Sequence, residues 1–146
     1  MFETQSGKQF AVTNTHFDLL RDGREAELTE VMKSQEKQLV DFSDSLKEKY
    51  NCPIISVGDY NTMEDTPETN PMDIPEIYNS LASRLTDSKF SCQNQICGEM
   101  QACDYPSYDH IFINGNATTN TFALLSYKCF ETMSDHYPIF ADINLN

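Results

Sequence analysis

A chain of 146 residues with 39% hydrophobic side chains, nine phenylalanines and seven tyrosines has enough apolar matter for one buried core, which argues against wholesale disorder and for a single domain. Its 23 acidic against 10 basic residues give a formal net charge of −13, which repels nucleic acid and anionic membrane surfaces at long range and counts against a high-affinity nucleic-acid binder. No apolar run approaches the ~18 residues of a membrane-spanning helix.

In chain order, Phe2-Glu3-Thr4, a turn at Gly7 and Phe10 to Asn14 predict a hairpin whose second strand delivers His16 at its carboxyl end. From Arg24 to Tyr50, apolar residues recur at Leu28, Val31 and Met32, Leu39, Phe42 and Leu46, near helical period, with Lys and Glu between them. This predicts an amphipathic helix with a solvated charged face and no partner groove. Pro53 ends it, and Ile54 to Val57 reads as a buried strand that runs into Gly58-Asp59-Tyr60-Asn61; helix and strand make a right-handed crossover. Three prolines and four acids between Thr62 and Pro75 predict an irregular loop. Ile74, Ile77, Leu81 and Leu85 then mark a second, shorter helix. Lys89 to Ser107 reads as a long loop, and Ile111 to Ile113, Thr121 to Lys128 and Ile139 to Leu145 as further strands.

Five cysteines, Cys52, Cys92, Cys97, Cys103 and Cys129, show no Cys-x-x-Cys pair, which argues against structural zinc. Cys92, Cys97 and Cys103 crowd into the polar loop and suit a local disulfide, whereas Cys52 and Cys129 border strand-like runs and read as buried free thiols. Asn116-Ala117-Thr118 is a glycosylation acceptor in a turn. Together these tilt the expected location slightly towards secretion.

Four strings stand at strand ends: Thr15-His16-Phe17, Gly58-Asp59-Tyr60-Asn61, Tyr108-Asp109-His110-Ile111 and Ser134-Asp135-His136-Tyr137-Pro138. Carboxylates, imidazoles and an amide are the groups that metal-assisted phosphate ester hydrolysis requires: carboxylates for a hard cation, an amide and imidazoles for phosphate oxygens, and a carboxylate–imidazole pair for protons. Each string alone is more often a satisfied turn, since Gly-Asp and Ser-Asp are ordinary turn chemistry. Asp59 and Asn61, two apart, point to one side of an extended segment. Asp135 and His136, adjacent, diverge towards different partners.

In this order the four strings resemble the endonuclease/exonuclease/phosphatase superfamily, whose fold is that of deoxyribonuclease I, and specifically its C-terminal half. The resemblance implies an α/β class, a deoxyribonuclease I-like sandwich of which residues 1–146 form a single partial domain, about half of the four-layer whole, as one mixed sheet with flanking helices. It implies that Asp59 orients the attacking water, that Asn61 and His16 contact phosphate oxygens, and that Asp109 orients His136, the main catalytic imidazole. Asp135 is the implied ligand of Mg²⁺ or Mn²⁺, and Asn14 and Asp18 are supporting. His110, on the opposite face from Asp109, is structural.

The expected function is a metal-dependent hydrolase of phosphate esters, acting on a small molecule, a lipid headgroup or nucleic acid, with acidity favouring the first two. The superfamily's N-terminal half carries an Asn and the principal metal-binding Glu, positions with no counterpart here. The chain is thus expected to be truncated or half of a split enzyme, and the alternative is an inactive module that dimerises or associates with the missing half.

Overall fold

A computed structural model of the chain describes residues 1–21, 23–64 and 74–146. Eleven elements follow one another: β1 (Phe2–Glu3), β2 (Gln9–His16), α1 (Glu25–Tyr50), β3 (Ile54–Asp59), α2 (Pro75–Arg84), β4 (Thr86–Asp87), α3 (Ser88–Ser91), β5 (Asn94–Cys97), β6 (Asp109–Asn114), β7 (Ala117–Leu124) and β8 (Ile139–Leu145).

The hairpin forms as the sequence predicts, with β1 antiparallel to β2 and Phe2 stacked on Phe10 at a centroid distance of 5.4 Å. α1 carries Glu25 and Glu27 in its first turn and Lys47 and Lys49 in its last, each set opposite in sign to the helix end beside it. It stops at Asn51, which takes the left-handed conformation at φ 50° while its N–H donates to the Lys47 carbonyl at 2.8 Å. α1 connects β2 to β3, which lie parallel, so the crossover is present. Leu28, Met32, Leu39 and Val40 of α1 and Ile77, Tyr78 and Leu81 of α2 bury against Phe17, Tyr60 and Phe112 to make the main core. Burial of this apolar stripe is what fixes the helices on one face of the sheet.

The strands divide between two sheets rather than forming the expected single one. Five lie in the order β1-β2-β3-β6-β4 and three in the order β5-β7-β8. The reason is pairing: β7 runs antiparallel to β8, with one register shift between Thr119 and Thr121, and parallel to β5, while β6 pairs with β3 and β4. The predicted loop from Lys89 to Ser107 therefore contains α3 and β5. Asn94–Cys97 is exposed and polar apart from Ile96, with none of the alternation that marks a strand, and takes that form because β7 offers it a ladder. β7 also starts earlier and ends earlier than Thr121 to Lys128, since its first residue, Ala117, is opposite Leu145.

Cys97 and Cys103 form the local disulfide, Cys52 is buried as expected, and Cys129 is exposed, contrary to expectation, in a run of turns over residues 128–133. Asn116 is exposed in its turn. Of the loop expected between Thr62 and Pro75, residues 65–73 lie outside the described residues. Its buried start is held by Thr62, whose hydroxyl donates to the Ile74 carbonyl at 2.9 Å.

Gly58 is the tightest point of the sheet. Its φ is +141°, and a Cβ built there would lie 1.9 Å from the carbonyl oxygen of Thr15, its partner on β2. No side chain fits without parting β2 from β3. Gly58→Ala is expected to lower the thermal unfolding midpoint by well over ~5 °C, following a loss of a few kcal/mol from strain and broken pairing. An unchanged midpoint would show that the strands do not approach this closely.

Candidate active site

Pairing register brings three of the sequence-predicted residues into one row. His16 is opposite Asp59 across β2 and β3, and Asp59 is opposite Asp109 across β3 and β6. Alternation along each strand puts His110, Phe112 and Ser56 on the helix side and the His16, Asp59 and Asp109 row on the other. His136 arrives from a different element, the segment leading into β8, which meets β6.

These side chains open into one cleft of about 760 Å³, lined by His16, Phe17, Asp18, Leu19, Arg21, Asp59, Asn61, Asp109, Asp135 and His136. All six of the predicted site residues lie on it. His136 Nδ1 donates to Asp109 Oδ2 at 2.6 Å, a short charge-assisted bond that fixes the ring and leaves Nε2 facing the cleft. The two oxygens of Asp59 differ in role. Oδ1 accepts the Asn61 backbone N–H at 2.9 Å, while Oδ2 lies 3.5 Å from His16 Nε2 and 4.0 Å from His136 Nε2.

Asn61 is buried and left-handed at φ 49°, and its side-chain nitrogen donates to the Phe17 carbonyl at 2.8 Å. An amide nitrogen has two protons, so one remains to donate to a second acceptor. The backbone beside the site is held in the same way: Phe17 N–H donates to the Asp59 carbonyl, Tyr60 N–H to the Tyr108 carbonyl, Asp109 N–H to Ser107 Oγ, and His136 N–H to Ser134 Oγ. Every strand end that bears a site residue is therefore pinned.

Burial of the His136 ring opposes its charging, but the hydrogen bond it donates to Asp109 and the nearby charges of Asp109, Asp59 and Asp135 outweigh that cost. Its pKa is raised above the ordinary imidazole value. His110 lies on the other face, 1% exposed, with Nδ1 3.1 Å from Asp87 Oδ2 and Nε2 3.0 Å from the Thr62 carbonyl. It is satisfied within the core and takes no part in the cleft.

Asp59, Asp109 and His136 each offer a ligand atom, and these atoms lie within 4.8 Å of one another. Asp135 stands outside that group, exposed at the cleft margin. Hard divalent cations favour carboxylate oxygen over imidazole, so the carboxylates are the donors better suited to a cation here.

Two features escaped the sequence. Gln35 of α1 reaches the loop after His16, accepting from Asp18 N–H at 2.9 Å and donating to its carboxylate at 3.2 Å, so the helix face read as merely solvated holds the cleft wall. Arg21 also lines the cleft, and no motif or spacing singled it out.

No family model matches the chain, nor does any curated protein sequence, whereas solved structures do. An endonuclease/exonuclease/phosphatase from Bacteroides vulgatus superposes with a TM-score of 0.66 at 18% identity, over 97% of this chain and 51% of its own. A conserved protein of unknown function from Enterococcus faecalis gives 0.64 at 16%, over 92% and 50%. A mannosyl-6-phosphatase from Bacteroides thetaiotaomicron gives 0.57 at 20%, over 95% and 52%. The chain spans about half the length of these structures, and at such identities the likeness establishes the fold.

The Asp109–His136 pair can be tested without turnover. In Asp109→Asn the His136 pKa should fall below its wild-type value, as read from the pH titration of its ring proton by NMR. An unshifted pKa would mean that the carboxylate does not govern the ring.

Proposed function

We propose, from a fold shared with endonuclease/exonuclease/phosphatase proteins, that this chain provides the catalytic cleft of a divalent-metal-dependent hydrolase of phosphate esters. The single observation that supports this most is the convergence of His16, Asp59, Asn61, Asp109 and His136, from three strand ends and one returning loop, on one open acidic cleft. The mannosyl-6-phosphatase among the structural neighbours supports the phosphoesterase class.

In this reading the ester phosphate lies between the imidazoles. Asp59 Oδ2, unengaged by the backbone, orients water and draws its proton as the new P–O bond forms. His16 Nε2 and the free Asn61 amide proton donate to the non-bridging oxygens, whose charge grows in the transition state. The P–O bond to the leaving group breaks as protonated His136 gives its Nε2 proton to the departing alcohol, with Asp109 holding the imidazolium. Asp135, assisted by Asp59, would hold Mg²⁺ or Mn²⁺, which supplies charge neutralisation at the phosphate.

One observation favours a second reading. Val12, on the His16 face of the sheet, is 40% exposed beside the Phe2–Phe10 pair, an apolar surface that another sheet could cover. On that reading the chain is a pairing module, inactive until it dimerises or joins an N-terminal half. Turnover absent from the 146-residue chain but restored by adding such a half would favour it.

The test is hydrolysis of p-nitrophenyl phosphate and bis(p-nitrophenyl) phosphate. Activity should vanish with EDTA, return with Mg²⁺ or Mn²⁺, and drop roughly 10²–10⁴-fold in His136→Ala. With His136 as the acid, the rate should fall as pH rises through its raised pKa, and Asp109→Asn should move this fall to lower pH. Metal-independent turnover, or full activity in His136→Ala, would contradict the assignment.

A further inference from the structure

The chain has three arginines, and two are spent on surface carboxylates: Arg24 on Glu27 at 2.8 Å and Arg84 on Asp44 at 3.1 Å. Arg21 differs. It lies on the segment between β2 and α1, its side chain is exposed, and it has no ion pair or side-chain hydrogen bond among the described residues. Among the described residues it is the one Lys or Arg that lines the cleft, together with the carboxylates of Asp18, Asp59, Asp109 and Asp135.

Asp18 is tied to Gln35, which fixes the start of the segment that carries Arg21. The planar guanidinium fork of Arg21 suits phosphate oxygens.

The charge balance of the cleft decides what that fork is for. A phosphomonoester carries about −1.5 to −2 at pH 7 and has three terminal oxygens, whereas a diester carries a single negative charge and has two. Four carboxylates disfavour the additional charge of the monoester unless a cation meets it. His16 and the Asn61 amide serve two oxygens in the mechanism above and His136 serves the leaving group, which leaves the third oxygen, present in the monoester alone, without a side-chain donor.

We propose that Arg21 is a specificity-determining residue that binds the third terminal oxygen and makes the cleft prefer phosphomonoester dianions to diesters. This rests on the phosphoesterase reading of the cleft.

The test is calorimetric binding of inorganic phosphate and of dimethyl phosphate, each with Mg²⁺ present, to the full chain and its Arg21→Gln and Arg21→Lys variants. The wild-type chain should prefer inorganic phosphate, and Arg21→Gln should weaken phosphate binding by roughly tenfold or more while leaving dimethyl phosphate within about threefold. Arg21→Lys should recover part of the preference. No preference in the wild-type chain, or the same preference in Arg21→Gln, would overturn the proposal, as would equal losses for both anions. If the preference holds but the chain hydrolyses neither nitrophenyl ester, the catalytic reading fails and the role of Arg21 as an anion selector stands. Circular dichroism of Arg21→Gln matching wild type excludes misfolding as the cause.

Discussion

The site depends on the register of three strands. His16, Asp59 and Asp109 come from positions far apart in the chain, and only the β2–β3 parallel ladder and the β3–β6 antiparallel ladder bring them into one row. A slip of one residue in either ladder would turn a whole strand over, sending its functional side chain into the helix-packed core and its neighbour into the cleft. Gly58 permits this register because it lets the β2 backbone come closer than any side chain would tolerate. The chemistry and the sheet therefore share one constraint.

The helix-side face supports the same row from behind. His110 bridges Asp87 and the Thr62 carbonyl, and Lys89 pairs with Glu64 at 2.6 Å while donating to the Tyr105 carbonyl. Glu64 also accepts the Ser107 N–H, so the loop after Asn61 is tied to the strand that begins at Asp109. Buried charges cost desolvation, and this pair is satisfied on both sides. Its effect is to hold the two loops that flank Asp59 and Asp109 in a fixed relation. Removing either partner alone would leave an uncompensated charge in the interior.

Much of this was legible in the sequence because its signals are local. The period of α1 over Leu28, Met32 and Leu39, the apolar run before Asp59 and the final strand before Asn146 are each set by residues a few positions apart. The cleft residues were legible for a further reason: each stands in a short polar string beside an apolar run. What stayed hidden is non-local. β5 exists because β7 lies beside it, the split into two sheets follows from which partners β7 and β8 take, and neither is encoded in the polar stretch Asn94–Cys97 itself. Gln35 and Arg21 were missed for the same reason, since a glutamine on a solvated helix and an arginine in a loop have meaning only once the fold brings them to the cleft. Asp135 is the case where the two views differ: the motif makes it the metal ligand, while the compact group of ligand atoms is Asp59, Asp109 and His136.

The central claim is that these strand ends form one site for a tetrahedral oxyanion. The most direct measurement is an amide chemical-shift map of the chain titrated with tungstate, a phosphate mimic, in the presence of Mg²⁺. Saturable shifts concentrated at His16, Asp59, Asn61 and His136 are expected. Shifts scattered over the surface, or confined to residues away from this cleft, would contradict it.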